Sequence, residues 1–196
     1  MILISRKAIM YKNKILFKNK YRIDSIRLKY WDYSNPGYYF VTICTKNMEN
    51  IFGEIFNGKM ILNEYGYIVK HYLKQINKHF RFVRVDSFIT MPNHIHMVLF
   101  VKPRRDVAMQ RLYMGIRNEN VMSKISPKSG TISTIIRSYK SICTKTINKK
   151  YNANFYWQTR FYDNIIRNET NLYNVRQYIK NNPHKWERSR NNKKRE

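Results

Sequence analysis

The sequence predicts an α+β sandwich, because a strand, an amphipathic helix and two further strands follow one another between residues 38 and 102. The run YYFVTICT from Tyr38 alternates and is rich in β-branched and aromatic residues, which favours a strand. In residues 51–63, Asn57-Gly58 separates two apolar segments and predicts a hairpin. Residues 81–90 and 94–102 are predicted strands joined by a tight turn at Met91-Pro92-Asn93.

The predicted helix between these strands begins after Asn63, which is a good N-cap residue. Its apolar positions recur at helical spacing and form one stripe: Tyr65, Ile68, Val69, Tyr72, Leu73 and Ile76.

The second half of the chain predicts two more helices and an extended segment. Ile132, Ile135, Ile136, Tyr139, Ile142 and Cys143 have the spacing of an amphipathic helix, and residues 155–167 are predicted to be extended. A third helix is predicted to open at Asn168 and Glu169 and to end before Pro183, which cannot continue the hydrogen-bond ladder. We expect residues 1–28 to be a basic arm, 29–186 to be one domain with a mobile basic loop at about 103–128, and 187–196 to be a basic tail.

The charge of the chain indicates a polyanionic partner. Thirty-eight Lys and Arg against twelve Asp and Glu give a formal net charge of +26. Nucleic acid is the partner that best neutralises such an excess. An anionic membrane surface is the alternative, but no apolar stretch approaches the roughly 20 residues of a spanning helix. Cys44 and Cys143 lie among apolar residues and are expected to be reduced core thiols.

His94-Ile95-His96 is the first motif that could carry chemistry. Because side chains alternate along a strand, both imidazoles point to one face and can converge on a divalent metal. The alternative is a pair of surface histidines on the open face of a half-exposed sheet.

Tyr178 and Asn182 form the second motif. They are four residues apart on the third helix and therefore share a face, at the edge of its apolar stripe. A phenol can attack a phosphodiester where the phosphate is polarised, and an amide oxygen one turn away could be a third, neutral metal ligand. Most of the sixteen tyrosines must instead be core, stacking or surface residues.

Basic side chains interleave with aromatic ones along the chain, a pattern typical of single-strand binding, in which cations neutralise phosphates and rings stack on bases. The candidate DNA-binding residues are Arg27, Lys29, Arg137, Lys140, Arg160 and Arg167.

Together, these motifs resemble a specific family, the transposases associated with repetitive extragenic palindromes (REP). These are single-tyrosine members of the HUH endonuclease superfamily and relatives of the insertion-sequence-200-like transposases. The resemblance covers most of residues 25–186. It does not extend to the arm before residue 20 or to residues 104–126. The matching segments are SIRLKYWDYSNPGYYFVTICT, IFGEI, LNEYG, MPNHIHMVLF, PKSGTISTIIRSYKS, FYWQTRFYDNIIRNE and YIKNNPHKW.

The resemblance implies a ferredoxin/RRM-like HUH fold, with a central antiparallel sheet and helices on one face. It implies that His94, His96 and Asn182 bind Mg²⁺ or Mn²⁺ and that Tyr178 attacks single-stranded DNA carrying hairpins, leaving a 5′-phosphotyrosine. Asp163 is a further residue that could support this site or fix a basic side chain.

The resemblance also implies a bacterial cytoplasmic, nucleoid-associated protein that acts as a monomer or homodimer. Two other functions stay open: a non-catalytic nucleic-acid-binding protein of the same fold, and an HUH replication initiator. A small zinc protein is disfavoured, because no CxxC or HxxxH pattern accompanies the histidines.

Overall fold

The structure is a computed structural model that describes residues 31–103 and 131–188. Its strands are β1 (Gly37–Cys44), β2 (Gly53–Phe56), β3 (Lys59–Leu62), β4 (Val83–Thr90), β5 (His94–Val101) and β6 (Tyr162–Ile166). Its α-helices are α1 (Glu64–His79), α2 (Ile132–Tyr151) and α3 (Glu169–Arg188). Four strands form an antiparallel sheet in the order β4-β5-β1-β6, and β2 and β3 form a separate two-stranded hairpin.

One face of the sheet forms the main hydrophobic core, which α1 and α2 cover. α1 packs against β4 and α2, and the Tyr139 hydroxyl of α2 donates to the Val69 carbonyl of α1 at 3.0 Å. The sheet residues on this face are fully buried: Tyr39, Val41, Ile43, Ile95, Met97 and Leu99.

The opposite face of the sheet is covered by α3. Leu172 and Ile179 of α3 are buried in a cluster with Val98 of β5, and Phe40 and Val175 pack against it. The predicted α+β architecture and central antiparallel sheet are confirmed, but α3 lies on the face that the prediction left without a helix. Amphipathic spacing identifies which side of a helix is buried and cannot identify which face of a sheet it contacts.

The hairpin and the start of α1 form as predicted. Asn57 and Gly58 both have positive φ, 49° and 69°, as a two-residue hairpin turn with the twist of the flanking strands requires. The Asn63 side chain accepts a hydrogen bond from the Gly66 amide at 3.0 Å and caps α1.

The predicted end of α3 before Pro183 is wrong, because the helix continues to Arg188 with Pro183 inside it. Proline removes one backbone hydrogen bond and costs roughly 3 kcal/mol within a helix. Tertiary contacts of the last turns offset that cost, since His184 packs against the turn at Gly58 and Trp186 packs against His94.

The remaining predictions fare differently. The extended segment is confirmed as β6 and a single bridge between Thr45 and Trp157, and both cysteines are buried free thiols. The whole of the proposed basic arm, the loop after residue 103 and most of the tail lie outside the described residues. Within 31–103 and 131–188, no helix is long and apolar enough to span a membrane.

Candidate active site

The two histidines lie on the face of the sheet that α3 covers. The β1–β5 register places His96 opposite Thr42 and His94 opposite Cys44, near the end of the two strands. Their side chains are buried, with 7% of His94 and 6% of His96 exposed. The alternative of two surface histidines is therefore wrong.

The two imidazoles converge on one point. Their Nε2 atoms lie 3.0 Å apart. The Asn93 amide donates through Nδ2 to the Met48 carbonyl, so its Oδ1 faces His94 Nδ1 at 2.7 Å. That oxygen can only accept, so Nδ1 of His94 carries the hydrogen and Nε2 presents a lone pair.

The Thr42 hydroxyl lies 2.8 Å from His96 Nδ1 and can accept its hydrogen in the same way. With that hydrogen on Nδ1, His96 presents its Nε2 lone pair beside that of His94, as two ligands of one metal would; with the hydrogen on Nε2, His96 donates to His94 Nε2 instead.

Burial keeps both rings uncharged near neutral pH. Desolvation lowers the pKa of His94 to about 4. Desolvation and the neighbouring His94 lower the pKa of His96 to about 3. A neutral imidazole is the form that binds a metal, so a cation would not compete with protons here.

The distance between the imidazole nitrogens fits a divalent metal. Two ligands at about 2.1 Å from an ion and at a right angle to each other lie about 3 Å apart, and the two Nε2 atoms are 3.0 Å apart. No cluster of three His, Cys, Asp or Glu occurs in the part of the chain that the structure describes. Among residues 31–103 and 131–188, a third protein ligand would therefore be of another type, such as the amide of Asn182.

Tyr178 reaches this site from α3. Its Oη lies 3.3 Å from His96 Nε2, and the two ring centroids are 5.2 Å apart. The Tyr178 side chain keeps 37% of its surface exposed, whereas Asn182, one turn further along the helix, is buried with 5% exposed. The structure thus brings Tyr178, His94 and His96 together and leaves Tyr178 partly exposed.

Several residues around these three were not singled out by the sequence. Thr42 and Asn93 orient the imidazoles, Phe40 stacks on His96 at 5.2 Å, and Lys185 Nζ lies 5.5 Å from the Tyr178 ring centroid. Trp186 lies 5.4 Å from the His94 ring. Of these residues, only Asn93 could have been linked to the site from the sequence, because it is adjacent to His94. The others reach the imidazoles through the register of the sheet or through the last turns of α3, which were not predicted.

The predicted DNA-binding residues are distributed around the domain. Arg137, Arg160 and Arg167 are exposed. The Lys140 ammonium donates to the Gln158 carbonyl and lies near those of the next two residues, and burial lowers its pKa to about 8. A cleft of about 630 Å³ is lined by side chains that include Arg137, Lys140 and Trp157. Arg27 and Lys29 lie outside the described residues.

Asp163 does not join the two imidazoles. It pairs with Val41 of β1, and Val41 faces the main core, whereas the next residue, Thr42, faces His96. Support of the histidine pair by direct contact is therefore excluded, and a role in fixing a basic side chain stays a prediction.

Comparison with known proteins gives a curated relative and a match to solved structures. No protein-family model matches the chain. An uncharacterized protein of Haemophilus influenzae is 38% identical over 167 residues, which cover 83% of this chain and 89% of that protein. The structure of a REP-associated tyrosine transposase bound to a REP hairpin matches with a TM-score of 0.52 at 17% identity, over 83% of this chain and 74% of that one. The chain therefore belongs to the same family as the Haemophilus influenzae protein, and its fold is that of a REP-associated tyrosine transposase.

Proposed function

We propose that this protein is a metal-dependent single-stranded DNA endonuclease and strand transferase, a transposase acting on hairpin DNA with Tyr178 as nucleophile. The observation that carries the proposal is the 3.3 Å separation of Tyr178 Oη from His96 Nε2, which itself lies 3.0 Å from His94 Nε2. A nucleophile beside two convergent neutral imidazoles is the set of groups that phosphoryl transfer through an enzyme-bound ester needs. The shared fold and the REP hairpin bound by the matched transposase support hairpin DNA as the substrate class.

In the proposed step, Tyr178 Oη attacks the phosphorus in line with the leaving 3′ oxygen. The bond from phosphorus to Oη forms and the bond from phosphorus to the 3′ oxygen breaks. The phenol loses its proton, the 3′ oxygen gains one, and the strand is left as a 5′-phosphotyrosine with a free 3′-OH. The new ester replaces the old one, so the reverse attack by a 3′-OH can rejoin strands without an added energy source.

His94, His96 and Asn182 would hold a Mg²⁺ or Mn²⁺ ion. When bound, such an ion withdraws charge from the scissile phosphate and stabilises the charge that develops in the transition state. The chain's own part is positioning: Asn93 and Thr42 hold the rings, and α3 brings the hydroxyl to them. Phe40 packs against both the His96 and Tyr178 rings and so helps to hold them beside each other.

Positive charge around the site suits a DNA strand. Lys185 is exposed beside Tyr178, and the exposed Arg137, Arg160 and Arg167 can contact phosphates further along. Their contribution is sequence-independent and falls with rising salt.

The test is formation of a covalent adduct. The protein is incubated with labelled single strands from the flanks of its own gene, each carrying a hairpin, in the presence of Mn²⁺. We expect a band that survives denaturation for the wild-type protein and for Tyr173→Phe, which changes an exposed tyrosine on the same helix. Tyr178→Phe should bind the strand as well as wild type and give no band.

Two results would contradict the proposal. An adduct with Tyr178→Phe would remove this residue as the nucleophile. Hairpin binding by the wild-type protein without any adduct, with Mn²⁺ or Mg²⁺, would instead establish a nucleic-acid-binding protein of this fold that does no chemistry.

A further inference from the structure

The continuation of α3 past Pro183 brings a second aromatic ring to the histidine site. Trp186 lies eight residues after Tyr178 and four after Asn182, so these side chains follow one side of the helix. Tyr178 contacts His96, and Trp186 contacts His94 with ring centroids 5.4 Å apart. The two imidazoles therefore lie between two aromatic side chains of α3.

Trp186 is also one wall of a cleft that opens beside the site. The cleft has a volume of about 610 Å³, which is within the usual range for small-molecule sites. The cleft has both polar and apolar walls, the polar ones being Asn50, Asn63 and the Glu54 carboxylate, and Trp186 itself is partly exposed. The apolar lining residues are Ile55, Ile61, Leu62 and Pro92.

The hairpin β2–β3 fixes the turn of α3 that carries Trp186. Gly58 at its tip has φ of 69° and lies so close to His184 that a methyl group there would overlap the imidazole. The indole is thus held between the hairpin and His94 before any strand arrives, which lowers the entropic cost of stacking a ligand on it.

We propose that Trp186 and this cleft bind an unpaired nucleobase next to the phosphate that Tyr178 attacks. The assignment rests on the proposed function, because the strand is placed by its scissile phosphate at the imidazoles. An indole with apolar side chains such as Ile55 and Pro92 beside it suits the face of a single base, and stacking of this kind accepts any of the four bases. Lys185 directly precedes Trp186, and its exposed ammonium lies 5.5 Å from the Tyr178 ring centroid. It can therefore contact the phosphate that joins the stacked base to the rest of the strand.

The experiment couples a change in the protein to a change in the strand. Binding is measured in the Tyr178→Phe protein without added metal, so that no cleavage occurs. The probe is a hairpin-bearing strand from the gene flank, and a matched set carries a single abasic site at each unpaired position in turn.

We expect one abasic position to weaken binding about 10-fold, the effect typical of removing one base from a stack on an aromatic side chain. Adding Trp186→Ala should weaken binding of the intact strand by a similar factor and remove the effect of that position. Trp186→Phe should keep most of the affinity for the intact strand and most of the effect of the abasic position. Equal abasic effects with and without the indole would overturn the proposal, as would unchanged binding of the intact strand by Trp186→Ala.

Fluorescence keeps the test decisive should Trp186→Ala fail to fold. The chain has three tryptophans, and we expect the intact strand to quench emission more than the abasic one, with the difference lost in Trp186→Phe. A difference that persists in Trp186→Phe would overturn the base site. If the wild-type protein forms the adduct but the abasic effect does not depend on Trp186, only the base site is refuted. If the abasic effect depends on Trp186 but the wild-type protein forms no adduct, only the proposed chemistry is refuted.

Discussion

The Asp86–Arg176 ion pair fixes α3, and with it Tyr178, the proposed nucleophile, against strand β4. A β-bulge between Val85 and Ser87 takes Asp86 out of the pairing register. Arg176 donates to both of its carboxylate oxygens, from Nε at 2.8 Å and from Nη2 at 2.7 Å. Because Arg176 lies two residues before Tyr178, we choose Arg176→Met as the perturbation; methionine keeps an unbranched apolar stem and removes the charge.

The magnitude follows from the burial of the two partners. The Asp86 side chain is 9% exposed and the Arg176 side chain 41%. Exposed pairs contribute about 0–1 kcal/mol, and breaking a buried pair costs about 3–5 kcal/mol. For one buried and one half-exposed partner, we expect Arg176→Met to lower the free energy of unfolding by about 1–3 kcal/mol at pH 7. Arg84, at 3.9 Å, leaves the Asp86 carboxylate with a weak residual partner.

The stability difference between wild type and Arg176→Met depends on pH through the ionisation of Asp86. The hydrogen bonds from Arg176 hold the pKa of Asp86 below its usual value. A carboxyl group whose pKa is lower in the folded state contributes stability above its unfolded pKa of about 4. That contribution is lost as the pH falls through the folded pKa. The difference between wild type and Arg176→Met should therefore be constant from pH 7 to about pH 5 and should shrink at lower pH.

Urea unfolding followed by circular dichroism measures both effects, with Lys180→Met as the control for removing an exposed cation from the same helix. A loss in Arg176→Met no greater than in Lys180→Met at pH 7 would refute the reasoning. So would a loss that stays the same below pH 4, because the pair would then not depend on an ionised Asp86.

Two further predictions concern the imidazoles and the hairpin. Thr42→Val removes the group that orients His96 and should weaken Mn²⁺ binding by about 10- to 100-fold in calorimetric titration, whereas Thr42→Ser should not; equal affinities would show that the hydroxyl does not orient the ring. Gly58→Ala should lower the free energy of unfolding by at least about 1 kcal/mol, because φ of 69° and the His184 ring both oppose a side chain. Asn57→Gly, at the neighbouring turn position, should change it by less than about 0.5 kcal/mol, and similar losses for both variants would contradict this account.

The histidine strand and the hairpin could be predicted because their signals are local. Alternation along residues 94–102 places His94 and His96 on one face whatever surrounds them. Asn57-Gly58 determines its own turn through the backbone conformations that these two residues tolerate. Neither prediction required knowledge of residues distant in the sequence.

The environment of the imidazoles could not be predicted in this way. Thr42 meets His96 because of the β1–β5 register, and register joins residues 54 positions apart. Tyr178 could be placed on one face of a helix with Asn182, but its choice among sixteen tyrosines came from family resemblance. Spacing within α3 carries no information about which strand the helix contacts.

The end of α3 shows how a tertiary contact can override a local rule. Pro183 disfavours a helix by an amount known from peptides, and the prediction stopped there. The cost is offset only by contacts that the last turns make, with Gly58 through His184 and with His94 through Trp186.

The arrangement links the stability of the domain to its chemistry. The imidazoles lie on β5 and the proposed nucleophile Tyr178 lies on α3, so the 3.3 Å approach of Tyr178 Oη to His96 Nε2 exists only while α3 is docked on the sheet. That docking depends on the apolar residues Leu172 and Ile179 and on the Asp86–Arg176 pair. Substitutions that loosen α3 should therefore reduce adduct formation while leaving the two imidazoles in place. Because Asn182, the third proposed ligand, lies on the same helix, we expect Arg176→Met to lose adduct formation and to bind Mn²⁺ more weakly, while Thr42 and Asn93 still hold the two imidazoles.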